Sequence, residues 1–541
     1  MHTFVARHAP KTVSLRSVED RSSATEIEIK LRIPKSAIAQ LLRHPALAQH
    51  KSGRARRHKL VSTYFDTPNL ALARAGVGVR MRRDGRRWIQ TVKGPADDES
   101  AAGLTARPEF EWIVGTSTRA PSIDAARLAT TPWRRLLLKA ARHGLEPVFV
   151  TEFTRTEIPL ALPGRTTAIL AVDVGAIRAA GSRKRVDLCE MELELASGGV
   201  EQLFLLAMKF AEDLPVALEA DGKAARGTRL VTSESPRPRP AENAALARDA
   251  TTGDALAAIM RACLRQIEGN ADGLLQDDDP EWVHQMRIGT RRFRACLSLL
   301  SQLVPSEPLS RLIADVKWLA NALGRARDLD VLTLETLPAL RRGARDSDPA
   351  SKRALRSFAA KAAAQRKRAR REARDAVASP RFVQLMLAAG ALAATREFGP
   401  RRKRDAAAPT DTPACEFAAR ILAHRQKKLL RRGEALSDAS AEARHAARIA
   451  AKKLRYATEF FADLFARKRA RAYRKSLTRL QHVLGVLNDA AVGPRLAGAI
   501  AGADSNAAAL LQGWAFAQAT LARGDLARVW RDFTRAKTFW D

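Results

Sequence analysis

Two kinds of hydrophobic periodicity divide the chain. From about residue 24 to 230, apolar and polar positions alternate in short runs, the period-two pattern of strands with one buried face. These runs predict strands near 25–33, 60–66, 77–83, 87–94, 107–114, 148–157, 167–175 and 187–196, and helical stretches near 35–48, 121–143 and 198–213. Eight strands with few helices predict an antiparallel sheet closed into a barrel or tunnel. A Pro-rich segment, Ser233–Pro240, follows. Beyond it the periodicity becomes helical, rich in Ala, Leu and Arg, with almost no strand signal. The expected fold class is α+β: an N-terminal eight-stranded antiparallel β-tunnel with flanking helices, then an all-α domain. The expected divisions are a disordered basic leader over 1–23, the tunnel over 24–230, a linker over 231–245 and the helical domain over 246–541.

The helical region repeats itself. His284-x-x-Arg287-Ile288-x-x-Arg291-Arg292-Phe293-Arg294 recurs as His445-x-x-Arg448-Ile449-x-x-Lys452-Lys453-Leu454-Arg455. Leu323-Gly324-x-x-x-Asp328 recurs as Leu484-Gly485-x-x-x-Asp489, and both pairs are offset by 161 positions. Gap-free agreement of two separated motifs implies an internal duplication with pseudo-two-fold symmetry. Phe398–Pro413, interrupted by Gly399, Pro400, Pro409 and Pro413, reads as the loop between the copies.

Charge sharpens the strand reading. In Glu26-Ile27-Glu28-Ile29-Lys30, both carboxylates and the ammonium share one face. The same parity joins Arg80 with Arg82, Arg107 with Glu109 and Glu111, and Glu190 with Glu192 and Glu194, while Lys93, Arg155 and Asp173 lie on further strands. One such strand would describe a solvated sheet face. Repetition around a closed barrel instead places the charges in the lumen and the apolar face against the helices. Buried charges of one sign would be prohibitive, but acidic and basic clusters bridged by a divalent cation and a phosphate chain compensate one another. Carboxylate oxygens suit Mg²⁺ or Mn²⁺, and Arg and Lys suit phosphate. No P-loop is present, since Gly76-x-Gly78 lacks the further glycines and the Lys-Ser/Thr.

Composition narrows the partners. The formal net charge is +35. Residues 1–230 carry 37 basic and 25 acidic side chains, and residues 231–541 carry 56 and 33. Both regions therefore favour a polyanion. Aromatics make up only 5% of residues, which disfavours single-stranded nucleic acid, a ligand held by stacking. Cys189, Cys263, Cys296 and Cys415 form no CxxC pair, so neither a zinc site nor a disulfide framework is expected. With no apolar signal segment and no run of 18 apolar residues, the expected location is cytoplasmic.

Across roughly residues 24–230 the chain resembles the CYTH family, also called triphosphate tunnel metalloenzymes. The likeness rests on an ordered series of motifs. Glu26–Lys30 opens it, followed by Tyr64-Phe65-Asp66-Thr67-Pro68, Val79-Arg80-Met81-Arg82, Thr91-Val92-Lys93, Arg107-Pro108-Glu109, Glu190–Glu194 and Lys223-x-x-Arg226-Gly227. The resemblance implies a tunnel that hydrolyses or cyclises triphosphates with a divalent metal. Glu26, Glu28, Glu190 and Glu192 would hold metal, with Glu109, Asp173 and Glu194 nearby. Lys30, Arg80, Arg82, Lys93, Arg155 and Lys223 would clamp phosphates. Glu26, Glu28, Lys30 and Glu192 are the expected catalytic set. Gly222 departs from the Ser that often precedes the Lys.

On a helix, His284, Arg287, Arg291 and Arg294 fall within about an 80° arc, opposite Met286, Phe293, Leu297 and Leu300. His445, Arg448, Lys452 and Arg455 form the second stripe. Lys352–Arg374 holds ten Lys or Arg, and alone reads equally as a solvated or a nucleic-acid-binding helix. Residues 254–500 resemble the CHAD domain, a helical module often fused behind CYTH domains and named for its histidines. Pro280-Glu281-x-x-His284-x-x-Arg287, Leu319–Val331 and Lys452-Lys453-Leu454-Arg455-Tyr456 carry the likeness. It implies two four-helix halves, about 250–397 and 412–500, which bind inorganic polyphosphate on the two stripes.

The expected function is a metal-dependent inorganic triphosphatase, with Mg²⁺ or Mn²⁺ as cofactor and a polyphosphate-binding helical domain. Association with polyphosphate granules follows from that reading, and no membrane partner is expected. Two alternatives stay open. The tunnel could act on thiamine or nucleoside triphosphates or cyclise ATP, or the chain could be a non-catalytic scaffold for polyphosphate or nucleic acid.

Overall fold

The computed structural model describes residues 21–344, 348–396, 398, 408–434, 436, 440–501 and 506–540. Most of the predicted leader and much of the loop between the copies lie outside them. The chain forms two compact units. One runs to Arg237 and takes in Pro380–Thr395; the other comprises Pro238–Ser379 and the chain from Arg396 onward.

The first unit is built on eight long strands, β1 (Arg21–Arg32), β2 (Arg56–Asp66), β3 (Gly78–Asp84), β4 (Arg87–Lys93), β5 (Leu104–Gly115), β6 (Glu146–Leu162), β7 (Thr166–Ala179) and β8 (Arg185–Ser197). They pair in the order β5-β4-β3-β2-β6-β7-β8-β1, and β1 pairs again with β5. Every pairing is antiparallel, so the sheet closes into an eight-stranded barrel with no free edge in its wall. A two-residue strand, β9 (Ala217–Leu218), adds to β1 at Leu31 and Arg32.

Closure converts sequence parity into inside and outside. Ile29 and Leu31 of β1, Met191 and Leu193 of β8 and Val79 of β3 are buried on the outer face, under the helices. The predicted helix over 35–48 is two short ones, α1 (Ile38–Leu42) and α2 (Pro45–His50), parted where Pro45 takes the first helical position. After β2 comes α3 (Ala71–Arg74). The stretch over 121–143 divides likewise into α4 (Ala125–Ala129) and α5 (Arg134–Arg142). With α3 they cover the outer face of β3–β5 through Leu72, Leu128 and Leu137, packed on Val79, Val92 and Phe110. α6 (Glu201–Asp213) covers β1 and β8. α7 (Lys223–Thr232), absent from the sequence reading, packs on β6 and β7.

The second unit is all-helical among its described residues. Its first copy contains α8 (Thr252–Gln276), α9 (Pro280–Leu303), α10 (Glu307–Asp330), a π-helical stretch (Val331–Thr336) leading into α11 (Leu337–Gly343), and α12 (Pro349–Ala378). α13 (Pro380–Thr395) then packs with the barrel unit, on α6 and β9, although it lies between the two copies in sequence. The second copy is α14 (Ala414–Gly433), α15 (Ala441–Phe461), α16 (Arg467–Ala501) and α17 (Asn506–Thr534). Helices packed in succession number four in each copy, α8, α9, α10 and α12 in the first and α14 to α17 in the second. The repeated motifs fall on corresponding helices, α9 with α15 and α10 with α16. Among the described residues no single helix is long and apolar enough to cross a membrane.

Candidate active site

Register sets the charged side chains against one another. Glu28 of β1 lies opposite Glu194 of β8, Lys30 opposite Glu192, and Arg32 opposite Glu190. On the other side of β1, Glu26 pairs with Arg107. Further round the wall Lys93 meets Glu109, and Arg155 meets Asp173. Glu26, Glu28, Lys30, Arg80, Arg82, Lys93, Glu109, Arg155, Glu192, Glu194 and Lys223 all line one cavity of about 780 Å³ inside the barrel. Asp173 and Glu190 do not. Both are fully buried, in the layer behind the lining.

Two carboxylate clusters form, and their electrostatics differ. Asp173, Glu190 and Glu192 bring oxygens within 4.8 Å of one another. Lys223 fills that cluster, its Nζ 2.7 Å from Asp173, 2.5 Å from Glu190 and 2.9 Å from Glu192. Arg155 adds a bidentate pair with Asp173 at 2.7 and 2.8 Å and also meets Glu192. Burial pushes the Asp173 and Glu192 carboxyls up, but these cations hold both below the ordinary carboxylate range. The cluster is already neutralised from within the protein.

Glu26, Glu28 and Glu194 make the second cluster, again with oxygens within 4.8 Å. Burial raises Glu26, but Lys93 at 2.5 Å and the charge of Arg107 bring it down to about 2. Glu28 is held up by burial, with Lys30 at 3.1 Å outweighed once Glu192 and Glu26 add their charges. Burial carries Glu194 to about 7 against Arg155 at 3.0 Å, with Glu192 and Glu26 reinforcing. Two of these three carboxylates therefore resist ionisation for want of positive charge. A hard divalent cation would supply it, and an all-oxygen donor set fits Mg²⁺ or Mn²⁺. Glu109 behaves alike: burial and the Glu26 charge raise it to about 7 against Lys93 and Arg80.

Facing these carboxylates are cations with capacity to spare. Arg80 spans Glu109 and Glu111 at 3.2 Å each. Among the described residues no carboxylate lies within ion-pair distance of Arg82 or Arg107, and each has a buried Nε without a hydrogen-bond partner. Both line the cavity. Arg107 and Glu111 were absent from the expected site, although their parity with Glu109 was visible. Burial and the neighbouring Arg80 and Arg155 charges depress the Arg82 pKa, against the opposing pull of Glu111 and Glu109.

The closing motif, Lys223-x-x-Arg226-Gly227, is the first turn and a half of α7. Arg226 reaches Glu190 and pairs with Glu219 at 3.3 Å. A Cβ on Gly227 would fall 2.3 Å from the Phe149 ring, so glycine lets α7 press onto the barrel end where Tyr64 stacks on Phe149. Gly222, at the departure from the family pattern, precedes the helix with no side-chain cap. Asp66 has a structural part. One oxygen accepts from the Thr67 and Leu72 amides and the other from Ala73, which ties the start of α3 to the end of β2.

In the helical unit the two stripes meet. Arg287 and Arg291 of α9 and Arg448 of α15 lie close enough to depress Lys452, which burial and these charges bring from 10.5 to about 7. The repeated aspartates hold equivalent arginines, Arg287 to Asp328 at 3.5 Å and Arg448 to Asp489 at 3.6 Å. This ion pair recurs at equivalent positions of the two copies. Other predicted members stand apart. His445 meets Asn488 at 2.8 Å, and His284 is lowered by burial and Arg327. Arg455 pairs with Glu459, and Arg294 is exposed beside Lys453. Part of the basic run on α12 is internal, Arg366 and Arg370 pairing with the fully buried Asp330.

Residues 24–228 match the CYTH domain, and residues 258–497 match the CHAD domain. The chain is 30% identical over 212 residues to the inorganic triphosphatase of Haemophilus influenzae, covering 38% of this chain and 54% of that protein. It is 27% identical over 292 residues to an uncharacterised protein of Mycobacterium tuberculosis, covering 51% and 52% respectively. The chain thus spans about half the length of the curated relatives it matches. Among solved structures, the CHAD domain from the plant Ricinus communis shares 33% identity over 56% of this chain and 100% of its own, with a TM-score of 0.49.

Proposed function

We propose, from a chain that carries an N-terminal CYTH domain fused to a C-terminal CHAD domain, that the barrel hydrolyses inorganic triphosphate to pyrophosphate and phosphate, and that the helical unit binds inorganic polyphosphate. The observation that carries the reading is the asymmetry of the cavity. The cavity wall holds an under-neutralised carboxylate cluster, Glu26, Glu28 and Glu194, and Arg82 and Arg107 reach the same cavity with, among the described residues, no carboxylate at ion-pair distance.

Glu26, Glu28 and Glu194 would hold Mg²⁺ or Mn²⁺, which supplies charge neutralisation and Lewis acidity at the phosphate chain. Arg80, Arg82, Lys93 and Arg107 bind the phosphate oxygens and fix the chain in line for attack. Lys30 stands between Glu28 and Glu192, at 3.1 and 2.8 Å, and places positive charge where the bridging oxygen departs. Glu192 holds Lys30, Lys223 and Arg155 in position, and Asp173 and Glu190 anchor that layer from behind. Glu109, at about 7, is poised to take a proton from the attacking water near neutral pH. On the helical unit, the convergence of Arg287, Arg291, Arg448 and Lys452 makes the polyphosphate site.

Phosphate release from triphosphate by the full chain should require Mg²⁺ or Mn²⁺ and should disappear in Glu28→Ala, with the fold retained by circular dichroism. Hydrolysis at the wild-type rate in that variant would overturn the site assignment. The cavity volume favours keeping a second reading, a larger thiamine or nucleoside triphosphate or ATP cyclisation. A substrate panel read for phosphate, pyrophosphate and cyclic AMP separates the two. Salt-dependent polyanion binding without metal-dependent turnover would instead mark a scaffold.

A further inference from the structure

We propose that α13 is a working part of the tunnel, and that Gly390 is a positioning residue for Lys30, acting through the Ala102–Gly103 turn and β9. The catalytic half of this statement rests on the triphosphatase reading; the structural half does not.

Gly390 sits inside α13, where glycine is a poor helix former and alanine would ordinarily be better. Its neighbours explain it. A Cβ at this position would lie 2.7 Å from Cε1 of Phe204 on α6 and 2.8 Å from Cβ of Ala102. Phe204 and Ala102 are both fully buried, so neither has room to retreat. Elsewhere on the helix, Gln384 Nε2 donates to the Met208 carbonyl at 2.6 Å and holds α13 against α6.

Ala102 is held at φ 56°, a left-handed conformation that a residue with a Cβ keeps only when its surroundings impose it. Gly103 follows at φ 79°, and its carbonyl accepts the Lys30 amide at 3.0 Å. The Lys30 carbonyl in turn accepts the Glu219 amide at 3.1 Å, directly after β9, which α13 also touches. Both backbone groups of Lys30 are thereby tied to segments that bear on α13. The Lys30 ammonium lies within ion-pair distance of Glu28 and Glu192, so a small displacement of its backbone alters the charge pattern at the cavity wall. A helix encoded some 350 residues downstream of Lys30 fixes where that ammonium stands.

The test uses the full chain as wild type, Gly390→Ala, and Gly390→Ala combined with Ala102→Gly. The second substitution removes the Ala102 methyl, one of the two groups that the first would strike, and so relieves the contact on the turn while that with Phe204 stays; it also leaves a residue suited to φ 56°. With triphosphate and Mn²⁺, Gly390→Ala should lower kcat on the order of tenfold while KM changes by less than about twofold, the pattern of a misplaced transition-state group. Hydrogen exchange of the Lys30 amide should quicken in the single variant and slow again in the double variant, with kcat partly restored. Unchanged Lys30 exchange in Gly390→Ala, or exchange and kcat that the second substitution leaves unrepaired, would overturn the proposal. A wild-type chain with no metal-dependent turnover would strike the triphosphatase reading instead, and the exchange measurement would still decide whether α13 positions Lys30.

Discussion

Raising the pH should weaken polyphosphate binding by the helical unit, and Lys452 should be the cause. This lysine is half-buried on α15, faced by Arg287 and Arg291 from α9, by Arg448 on its own helix and by Asp489 from α16. Burial first, then the three guanidinium charges, bring its pKa to about 7, and Asp489 offsets only part of their effect. A bound polyanion adds negative charge beside the group, so the complex favours the protonated form. The sign follows. Below about 7 the free protein already carries the charge and affinity is flat; above it, binding must take up a proton, and affinity falls about tenfold per pH unit until the pKa of the complex is reached. Between pH 6.5 and 8.5 the expected loss is about 25-fold for a group titrating at 7.

Titration calorimetry with long-chain polyphosphate at fixed ionic strength measures this directly. Constant salt matters because phosphate binding releases counterions. Repeating the titration at pH 8 in buffers of different ionisation enthalpy should reveal uptake of about one proton per site. Lys452→Arg keeps its charge throughout, so its affinity should stay flat with pH and its proton uptake should vanish. Parallel pH curves for wild type and Lys452→Arg would assign the dependence to groups other than Lys452.

Two further outcomes follow from the barrel. Arg82→Ala should raise KM for triphosphate on the order of tenfold or more, because no described carboxylate sits at ion-pair distance from this guanidinium, whereas its effect on the unfolding midpoint should be small; steady-state kinetics and thermal melts separate the two. Asp66→Ala should cost about 1–3 kcal/mol in denaturant unfolding, since the Thr67 amide and two amides at the start of α3 lose their acceptor, while kcat in the folded fraction stays near wild type.

Alternation along single strands revealed which side chains share a face, and the ordered motifs revealed that the faces belong to one tunnel. That Glu26, Glu28, Lys30 and Glu192 face one cavity was therefore legible in the sequence. Depth was not. Asp173 and Glu190 follow the same parity as the cavity-lining groups, yet Lys223 and Arg226 from α7 draw them into a buried layer. That pairing depends on where a helix after β9 enters the barrel, which no local pattern encodes. Lys223-Ala-Ala-Arg226-Gly227 was recognised as a motif but not as a helix, because Gly227 and the β-branched Thr228, Val231 and Thr232 weaken its propensity. The 161-residue repeat foretold equivalent positions in the two copies, and the repeated aspartates each hold the equivalent arginine. The lodging of α13 on the barrel unit was invisible, since its composition suits either unit equally well.

The charge balance of the lumen explains why a metal-assisted reaction suits this barrel better than simple anion binding. Eight carboxylates (Glu26, Glu28, Glu109, Glu111, Asp173, Glu190, Glu192 and Glu194) are set among eight cations (Lys30, Arg80, Arg82, Lys93, Arg107, Arg155, Lys223 and Arg226). Fully ionised, the set is formally neutral. A triphosphate entering the lumen brings several negative charges, more than the near-balance of acidic and basic side chains lining the cavity offsets. Protonation of Glu28, Glu109 and Glu194, the carboxylates whose pKa values are raised, meets part of the demand. A divalent cation at Glu26, Glu28 and Glu194 meets it without protonating those groups, and its binding should expel protons from Glu28 and Glu194. A barrel built only to capture anions would gain from replacing these glutamates by neutral residues. Their retention in a wall that must bury them makes physical sense when a cation is shared between protein and phosphate.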